Sequence, residues 1–322
     1  MNVINKLIKA LDVCNPSALP CFAGAKQLMI GSDYSGQHST SQYEALAFVV
    51  SDAGSLRPWL NARSRLRAKH LPNCRRMAFK RLNDRLRAEA LPAFLSAADL
   101  LHGLLLVVLF DKRIDSIFVP DEDPKAINPK LRPLAKWPAQ TEEKLLRICH
   151  VMALVLAGLT RQDQHILWVT DQDDIVANVE RHALFTEAFG NIASHYLAHT
   201  LGHLRIATTA SDTGNRDLED FVAIADIAAG AVCHVLNAYR DSTPQVSRLV
   251  VPFPTGMPPK VHSVLNWFSN ESPPLLKRLV IAIEPSENSA KLIVKHYAFP
   301  GLNAGFGLTL WPSWVSQRSR LV

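Results

Sequence analysis

Short apolar runs alternate with amphipathic stretches along most of this chain, and the alternation predicts a layered α/β fold. Two apolar runs within residues 25–52 flank a polar, Gly-containing turn and predict a β-hairpin. The run Leu104–Asp111 is continuous and rich in Val and Leu, which is typical of a strand buried on both faces. Two further short strands are predicted at His165–Thr170 and His203–Thr209.

Helical spacing of apolar residues fills the intervals between these strands. It predicts long helices over residues 141–158, 174–201 and 217–240, and two basic helices within residues 56–90 that break near Pro72. No phosphate-binding glycine loop follows any predicted strand, which disfavours a Rossmann domain. The antiparallel opening followed by strand–helix alternation instead favours an RNase H-like arrangement.

The C-terminal part of the chain predicts a β-rich extension. Its last two strands are expected at Leu279–Glu284 and Lys291–Tyr297, after a Pro-rich connection. We therefore predict an α/β protein with an RNase H-like mixed sheet flanked by helices over residues 25–240. The extension over residues 241–322 is expected to pack on the same domain.

Composition adds a few bounds to this prediction. With 48% hydrophobic and 20% charged residues, the 322-residue chain can bury a sizeable core, and its net charge of +6 permits binding of a polyanion. Its five cysteines are scattered without a Cys-x-x-Cys pair, which indicates reduced thiols. We find no signal peptide, and the apolar runs are too short to span a bilayer. We therefore expect a cytoplasmic protein without a membrane segment.

Acidic residues in three distant segments are the main candidates for chemistry. Asp33 and Asp171 end predicted strands, and Asp226 lies on the apolar face of a predicted helix, where an unpaired carboxylate is costly to bury. A shared Mg²⁺ or Mn²⁺ ion would explain such a cluster, because hard cations prefer oxygen ligands. Two such ions roughly 3.5–4 Å apart can activate water and stabilise the leaving oxygen in phosphodiester cleavage. The predicted catalytic residues are Asp33, Asp171 and Asp226, and the predicted metal ligands are these three with Asp173 and Asp174.

Each of these carboxylates also has a purely structural interpretation. Asp33 can be a turn residue, and Asp173 or Asp174 can cap the helix that follows. Asp226 can be satisfied by an arginine or by a backbone donor. The sequence leaves these alternatives open, and the geometric test is whether the carboxylates of Asp33, Asp171 and Asp226 meet within about 8 Å, close enough to share metal ions.

Three short stretches resemble a bacterial family of unknown function, the one numbered 3800, which is marked by an Asp-Glu-Ser-Gly signature. They are Ile30–Gly36, Trp168–Asp174 and Ala223–Gly230, and the resemblance runs in order over roughly residues 28–240. It implies an RNase H-like fold and places Asp33 in the acidic site of that family.

The resemblance assigns Asp171 and Asp226 to the same site, with Asp173 and Asp174 as auxiliary residues. This sequence departs from the signature at one position, because Tyr34 stands where the family has Glu. A carboxylate expected beside the first aspartate is therefore missing. A site that lacks this ligand would bind metal weakly, use a single ion or be inactive.

Positive charge is concentrated in one segment. Between Arg57 and Arg87 there are eleven Lys or Arg residues and a single acid, Asp84. Like charges at helical spacing oppose helix formation slightly, and a polyanionic partner would offset this repulsion. The alternative is a solvated face paired with acids elsewhere. The predicted nucleic-acid contacts are Arg63, Arg67, Arg75, Arg76, Lys80 and Arg81, and Lys80 is also a candidate transition-state partner.

These features favour a Mg²⁺- or Mn²⁺-dependent nuclease that hydrolyses phosphodiester bonds of DNA or RNA. The first alternative is a non-catalytic nucleic-acid-binding or complex-forming module, whose RNase H-like site is degenerate because of Tyr34. The second is a protein-interaction subunit in which the basic segment docks an acidic partner.

Overall fold

A computed structural model describes residues 19–118, 129–239, 248–250, 256–270, 275–286, 291–299 and 315–317. Nine strands form one mixed sheet in these ranges: β1 (Gln27–Ser35), β2 (Tyr43–Asp52), β3 (Gly103–Asp111), β4 (His165–Thr170), β5 (Leu204–Thr208), β6 (Arg248–Val250), β7 (Leu276–Pro285), β8 (Lys291–Ala298) and β9 (Val315–Gln317). The α-helices are α1 (Arg57–His70), α2 (Arg85–Ala98), α3 (Ala139–Leu159), α4 (Val179–Tyr196), α5 (Asp217–Tyr239) and α6 (Pro259–Phe268).

The strand order places two parallel strands beside an antiparallel meander. β1, β2 and β3 pair antiparallel, β4 lies parallel to β1 on its other side, and β5 lies parallel to β4. The order β5-β4-β1-β2-β3 with these directions is the arrangement of the RNase H-like fold. This confirms the predicted fold class, a mixed sheet flanked by helices.

Helices cover both faces of the sheet. Apolar residues of α1, α2, α5 and α6 form the core on one face, and those of α3 and α4 form the core on the other. Side chains of a strand point alternately to the two faces. Asp33 of β1 therefore lies on the α5 side, whereas its neighbour Tyr34 packs against the α3 and α4 core.

The long apolar helix α5 lies directly on the first strand. A Cβ atom on Gly31 would lie 2.8 Å from the ring of Phe221, so only glycine permits this approach of the helix to β1. The close contact brings Asp226, further along the same helix, over the end of β1. By length and composition α5 could cross a membrane, but most of its surface is buried in this fold, as expected of a core helix.

The prediction of the second basic helix needs correction. The second basic helix begins only at Arg85, because Asp84 caps it and accepts a hydrogen bond from the Arg87 N–H at 3.2 Å. The preceding residues form a connecting segment (Leu71–Asp84), in which Cys74 takes a left-handed conformation with φ of 56°. This segment contains one short 3₁₀ turn, so its positive charges do not share a helix face as the sequence predicted.

The C-terminal strands extend the same sheet. β7 pairs parallel with β3, and β8 pairs antiparallel with β7. A buried polar cluster ties them to β2: the Glu284 carboxylate accepts a hydrogen bond from Tyr43 at 2.7 Å and lies 2.6 Å from the Lys295 ammonium. The predicted domain boundary at residue 240 stays a prediction, and most of the Pro-rich connection that follows lies outside the described residues.

Candidate active site

A cleft of 680 Å³ opens where β1 and β4 end, between α5 and the connecting segment. Six of the residues predicted from the sequence line it: Asp33, Asp171, Asp226, Arg76, Lys80 and Arg81. The cleft therefore gathers carboxylates from three distant segments and cations from a fourth. The other predicted residues lie outside its lining.

Asp33 and Asp226 form the acidic floor of this cleft. Asp33 pairs with Ala47 in the β1–β2 register, and Asp226 reaches it from the opposing helix, close enough for the two carboxyl groups to share a hydrogen bond. The backbone N–H of Phe79 donates to Asp226 Oδ2 at 2.7 Å. This donor lies in the connecting segment and was not predicted, although a backbone partner for Asp226 was one of the alternatives.

The two floor carboxylates are difficult to ionise together. Burial raises the pKa of Asp33 well above its usual value, and the negative charges of Asp226 and Asp171 raise it further. Burial also raises the pKa of Asp226, although the Phe79 N–H and the positive charge of Arg76 oppose the shift. In the metal-free protein the pair therefore tends to hold a proton between its two carboxyl groups.

Asp171 lies at the cleft wall and is held by neighbouring groups. Its Oδ1 accepts hydrogen bonds from the Thr209 hydroxyl at 2.7 Å and from the Gln172 N–H at 3.0 Å. Its Oδ2 forms an ion pair with the Arg76 guanidinium. Thr209 and the Arg76 contact fix the orientation of this carboxylate, and neither was foreseen from the sequence.

Asp173 and Asp174 belong to a different cluster, against α3. The Lys144 ammonium lies 2.6 Å from Asp173 Oδ2 and 2.7 Å from Asp174 Oδ1. It also lies over the ring of Tyr34, 5.2 Å from the centroid. The two aspartates therefore share the positive charge of one buried lysine, and their predicted role as metal ligands is not supported by this geometry. Asp173 caps the short 3₁₀ turn Asp174–Val176 through the Ile175 N–H, whereas Asn178 caps α4.

Two arginines predicted to bind nucleic acid are buried structural residues. Arg63 pairs with Asp217 at 2.6 Å and with Asp220 at 2.6 Å, and Arg67 also pairs with Asp220. Asp220 is buried at the start of α5, so these ion pairs fasten α1 to α5. The alternative interpretation, pairing with acids elsewhere, describes both arginines.

The exposed cations at the cleft are fewer than the sequence predicted. Arg75 pairs with Asp84 at 2.7 Å, away from the cleft. Lys80 and Arg81 are exposed at the rim, and no ion pair involves either of them within the described ranges. These two residues are the predicted phosphate contacts that stay free in the structure.

Lys260 is a further cation beside the cleft that the sequence analysis missed. Its ammonium donates to the Phe79 carbonyl at 3.1 Å and lies 4.4 Å from the centroid of the Phe79 ring. The Phe79 ring packs directly against Gly230, where a Cβ atom would lie 2.2 Å from it. Lys260 opens α6, in a region where the Pro-rich sequence predicted only a connection.

The donor chemistry of the cleft suits a hard divalent cation. Asp33 and Asp226 supply oxygen atoms, and burial, the largest cause of their raised pKa values, disfavours their ionised forms unless a cation compensates the charge. Over the described ranges, no three His, Cys, Asp or Glu side chains are already arranged around a common metal position. The third carboxylate, Asp171, is held by Arg76. The floor pair thus fits a cation, and completing the set requires Asp171 to exchange partners.

Comparisons with known proteins give a structural likeness and no sequence match. No protein-family model matches the sequence, and no characterised protein matches it. The crystal structure of the ribonuclease H2 from Pyrococcus horikoshii OT3 is similar in structure, with a TM-score of 0.35 and 13% sequence identity. The match covers 74% of this chain and 86% of that chain. The RNase H-like assignment rests on the strand order and pairing.

Proposed function

We propose that this protein is a metal-dependent nuclease that hydrolyses phosphodiester bonds of DNA or RNA. One observation carries the proposal: Asp33 and Asp226, 193 positions apart in the sequence, meet at the floor of a cleft whose rim bears exposed cations. The resemblance of three short stretches to the bacterial family numbered 3800 supports the same site. Membership in that family is part of the proposal.

The residues divide into three roles. Asp33 and Asp226 would hold a Mg²⁺ or Mn²⁺ ion, with Asp171 as a third ligand that Thr209 already orients. When bound, such an ion supplies Lewis-acid stabilisation of the reacting phosphate and a more acidic water. Lys80 and Arg81 at the rim would contact phosphates of the nucleic-acid backbone, where positive charge adds affinity without base specificity.

Removal of either floor carboxylate tests the proposal. Labelled single- and double-stranded DNA and RNA are incubated with Mg²⁺ or Mn²⁺, using the wild-type protein, Asp33→Asn and Asp226→Asn. We expect cleavage by the wild type and a loss of about a hundredfold or more in each variant, because a bound cation supplies several kcal/mol of transition-state stabilisation.

Asp52→Asn is the matched control. Asp52 also ends a strand, but at the opposite end of the sheet, where it pairs in register with Leu28 and caps a short turn. We expect it to cleave like the wild type. Cleavage that Asp33→Asn and Asp226→Asn leave unchanged would contradict the proposal.

A non-catalytic nucleic-acid-binding module is the second candidate, and the Arg76–Asp171 ion pair favours it. An arginine that permanently occupies the third carboxylate would prevent assembly of a complete metal site. Such a module would bind nucleic acid in a salt-sensitive manner, would keep this binding in EDTA and would show no cleavage with either metal.

A further inference from the structure

Arg76 differs from the other cations of the cleft because it already contacts a candidate ligand. Its guanidinium pairs with Asp171 Oδ2, and the side chains are 31% and 27% exposed. The other carboxylate oxygen, Oδ1, is taken by Thr209 and by the Gln172 N–H. A cation can therefore reach Oδ2 of Asp171 only when Arg76 leaves it.

The Arg76 guanidinium is incompletely bonded in this position. Its Nη2 donates to Asp171, but its Nε is buried and has no hydrogen-bond partner among the residues that the structure describes. Arginine forms its strongest contacts as a two-pronged fork against an anion with two or more oxygens. A phosphodiester offers two such oxygens, and it would satisfy donors that Asp171 leaves unused.

The backbone beside Arg76 is firmly anchored, so a change of partner requires only a side-chain movement. The Arg87 Nε donates to the Arg76 carbonyl at 2.8 Å, and Arg67 donates to the Arg75 carbonyl at 3.3 Å. Arg67 is itself fixed by Asp220. These two arginines thus hold the backbone of Arg76 at the cleft, so that only its side chain has to move.

We propose that Arg76 exchanges Asp171 for a backbone phosphate of bound nucleic acid, and thereby couples nucleic-acid binding to cation binding. In the free protein Arg76 competes with the cation for Asp171. When a phosphate engages the guanidinium, Asp171 Oδ2 is released beside the floor pair of Asp33 and Asp226. The inference rests on the proposed function, and it makes Arg76 a positioning residue that acts through Asp171. By linkage, the cation strengthens nucleic-acid binding by the same factor.

Mn²⁺ affinity, measured by calorimetry with and without short phosphorothioate DNA and RNA oligonucleotides, tests the coupling. For the wild type we expect the oligonucleotide to raise Mn²⁺ affinity by about 5- to 150-fold, the usual range of coupling between sites. Arg76→Gln should bind Mn²⁺ more tightly than the wild type without an oligonucleotide, because the competing cation is gone. The oligonucleotide should then change its Mn²⁺ affinity very little.

Arg75→Gln is the matched control, since Arg75 is the adjacent residue and pairs with Asp84 outside the cleft lining. It should couple like the wild type, and Arg76→Lys should retain only part of the coupling because an ammonium lacks the fork. Unfolding curves confirm that each variant is folded.

The result separates this inference from the nuclease proposal. Weaker Mn²⁺ binding by Arg76→Gln, or full coupling in that variant, overturns the exchange even if the wild type cleaves nucleic acid. Failure of the wild type and Arg76→Gln alike to bind Mn²⁺ overturns both. Tighter binding by Arg76→Gln supports the exchange, whether or not cleavage is detected.

Discussion

Two pairs of carboxylates lie near the same end of the sheet, on its two faces, and they have different partners. Asp173 and Asp174 share the buried ammonium of Lys144 on the α3 face. Asp33 and Asp226, on the α5 face, have each other and one backbone N–H. A pair of carboxylates that already shares a buried ammonium is a structural feature, whereas a pair without such a cation can recruit a metal ion.

The electrostatics of the two pairs differ accordingly. Burial favours the protonated form of Asp174, but the hydrogen bond and charge of Lys144 outweigh it and hold the pKa of Asp174 below its usual value. Burial raises the pKa of Asp173, and Lys144 opposes that rise. For Asp33 the largest neighbouring charges are negative and add to the effect of burial. Proximity of aspartates alone therefore does not identify a metal site.

Loss of Lys144 should have the largest effect on stability. Its side chain is 5% exposed, so Lys144→Met removes a buried charge partner and leaves Asp173 with the Ile175 N–H and Asp174 with the Thr141 hydroxyl. We expect a loss of about 2 kcal/mol in the free energy of unfolding at neutral pH, less than for a fully buried pair because the carboxylates of Asp173 and Asp174 are 24% and 44% exposed. Chemical denaturation measures it.

Restoring neutrality should recover much of this loss. We expect Lys144→Met combined with Asp173→Asn and Asp174→Asn to be more stable than Lys144→Met alone, because the unpaired charges are gone. If Lys144→Met were as stable as the wild type, the cluster would not be the completed ion pair described here.

Asp33→Asn, unlike Lys144→Met, should raise the free energy of unfolding of the metal-free protein. Since the pKa of Asp33 is raised in the folded state, its stabilising contribution is present at low pH and is lost as pH rises through the folded pKa. In EDTA, we expect Asp33→Asn to stabilise the protein more near pH 8 than near pH 5, because at the higher pH the native carboxyl group must ionise against its burial and its negative neighbours. Denaturation over this pH range measures the difference, and an equal destabilisation at both pH values would contradict it.

Gly230→Ala tests how the connecting segment supports the floor pair. The added Cβ would lie 2.2 Å from the Phe79 ring, so the segment must shift and weaken the Phe79 N–H bond to Asp226. Overpacking costs about 1 to 3 kcal/mol, and the gain in helix propensity returns about 1 kcal/mol, so we expect a net loss of about 1 kcal/mol.

Gly190→Ala is the matched control for this substitution, because a Cβ on that α4 residue would meet nothing within 4 Å. It should be neutral or slightly stabilising in the same denaturation experiment. Equal effects of the two substitutions would show that Phe79 does not press on α5 as described.

The sequence predicted the features that depend on local periodicity. The predicted hairpin determined on which face of the sheet Asp33 lies, because successive side chains of β1 point to opposite faces. Helical phase placed Asp226 on the buried side of α5, and the two side chains meet there. The strand that ends before Asp171 was also placed correctly.

The partners of the site residues could not be predicted, because they come from distant parts of the chain. Arg67 and Asp220 are 153 positions apart, and Arg76 and Asp171 are 95 apart. A segment dense in positive charge looks like a polyanion surface when its buried acidic partners are unknown. Lys144 stands among the charged residues of the first turns of α3, so the local sequence does not mark it as an internal cation, and its pairing with Asp173 required the fold.

Titration of the metal-free protein with Mn²⁺, followed by calorimetry, tests most directly that Asp33 and Asp226 form the cation site. The account predicts binding by the wild type, with release of protons to the buffer because the floor pair must ionise. Binding should be lost in Asp33→Asn and in Asp226→Asn, and kept in the double variant Asp173→Asn, Asp174→Asn. Binding that survives both single substitutions, or that disappears in the double variant, would contradict it.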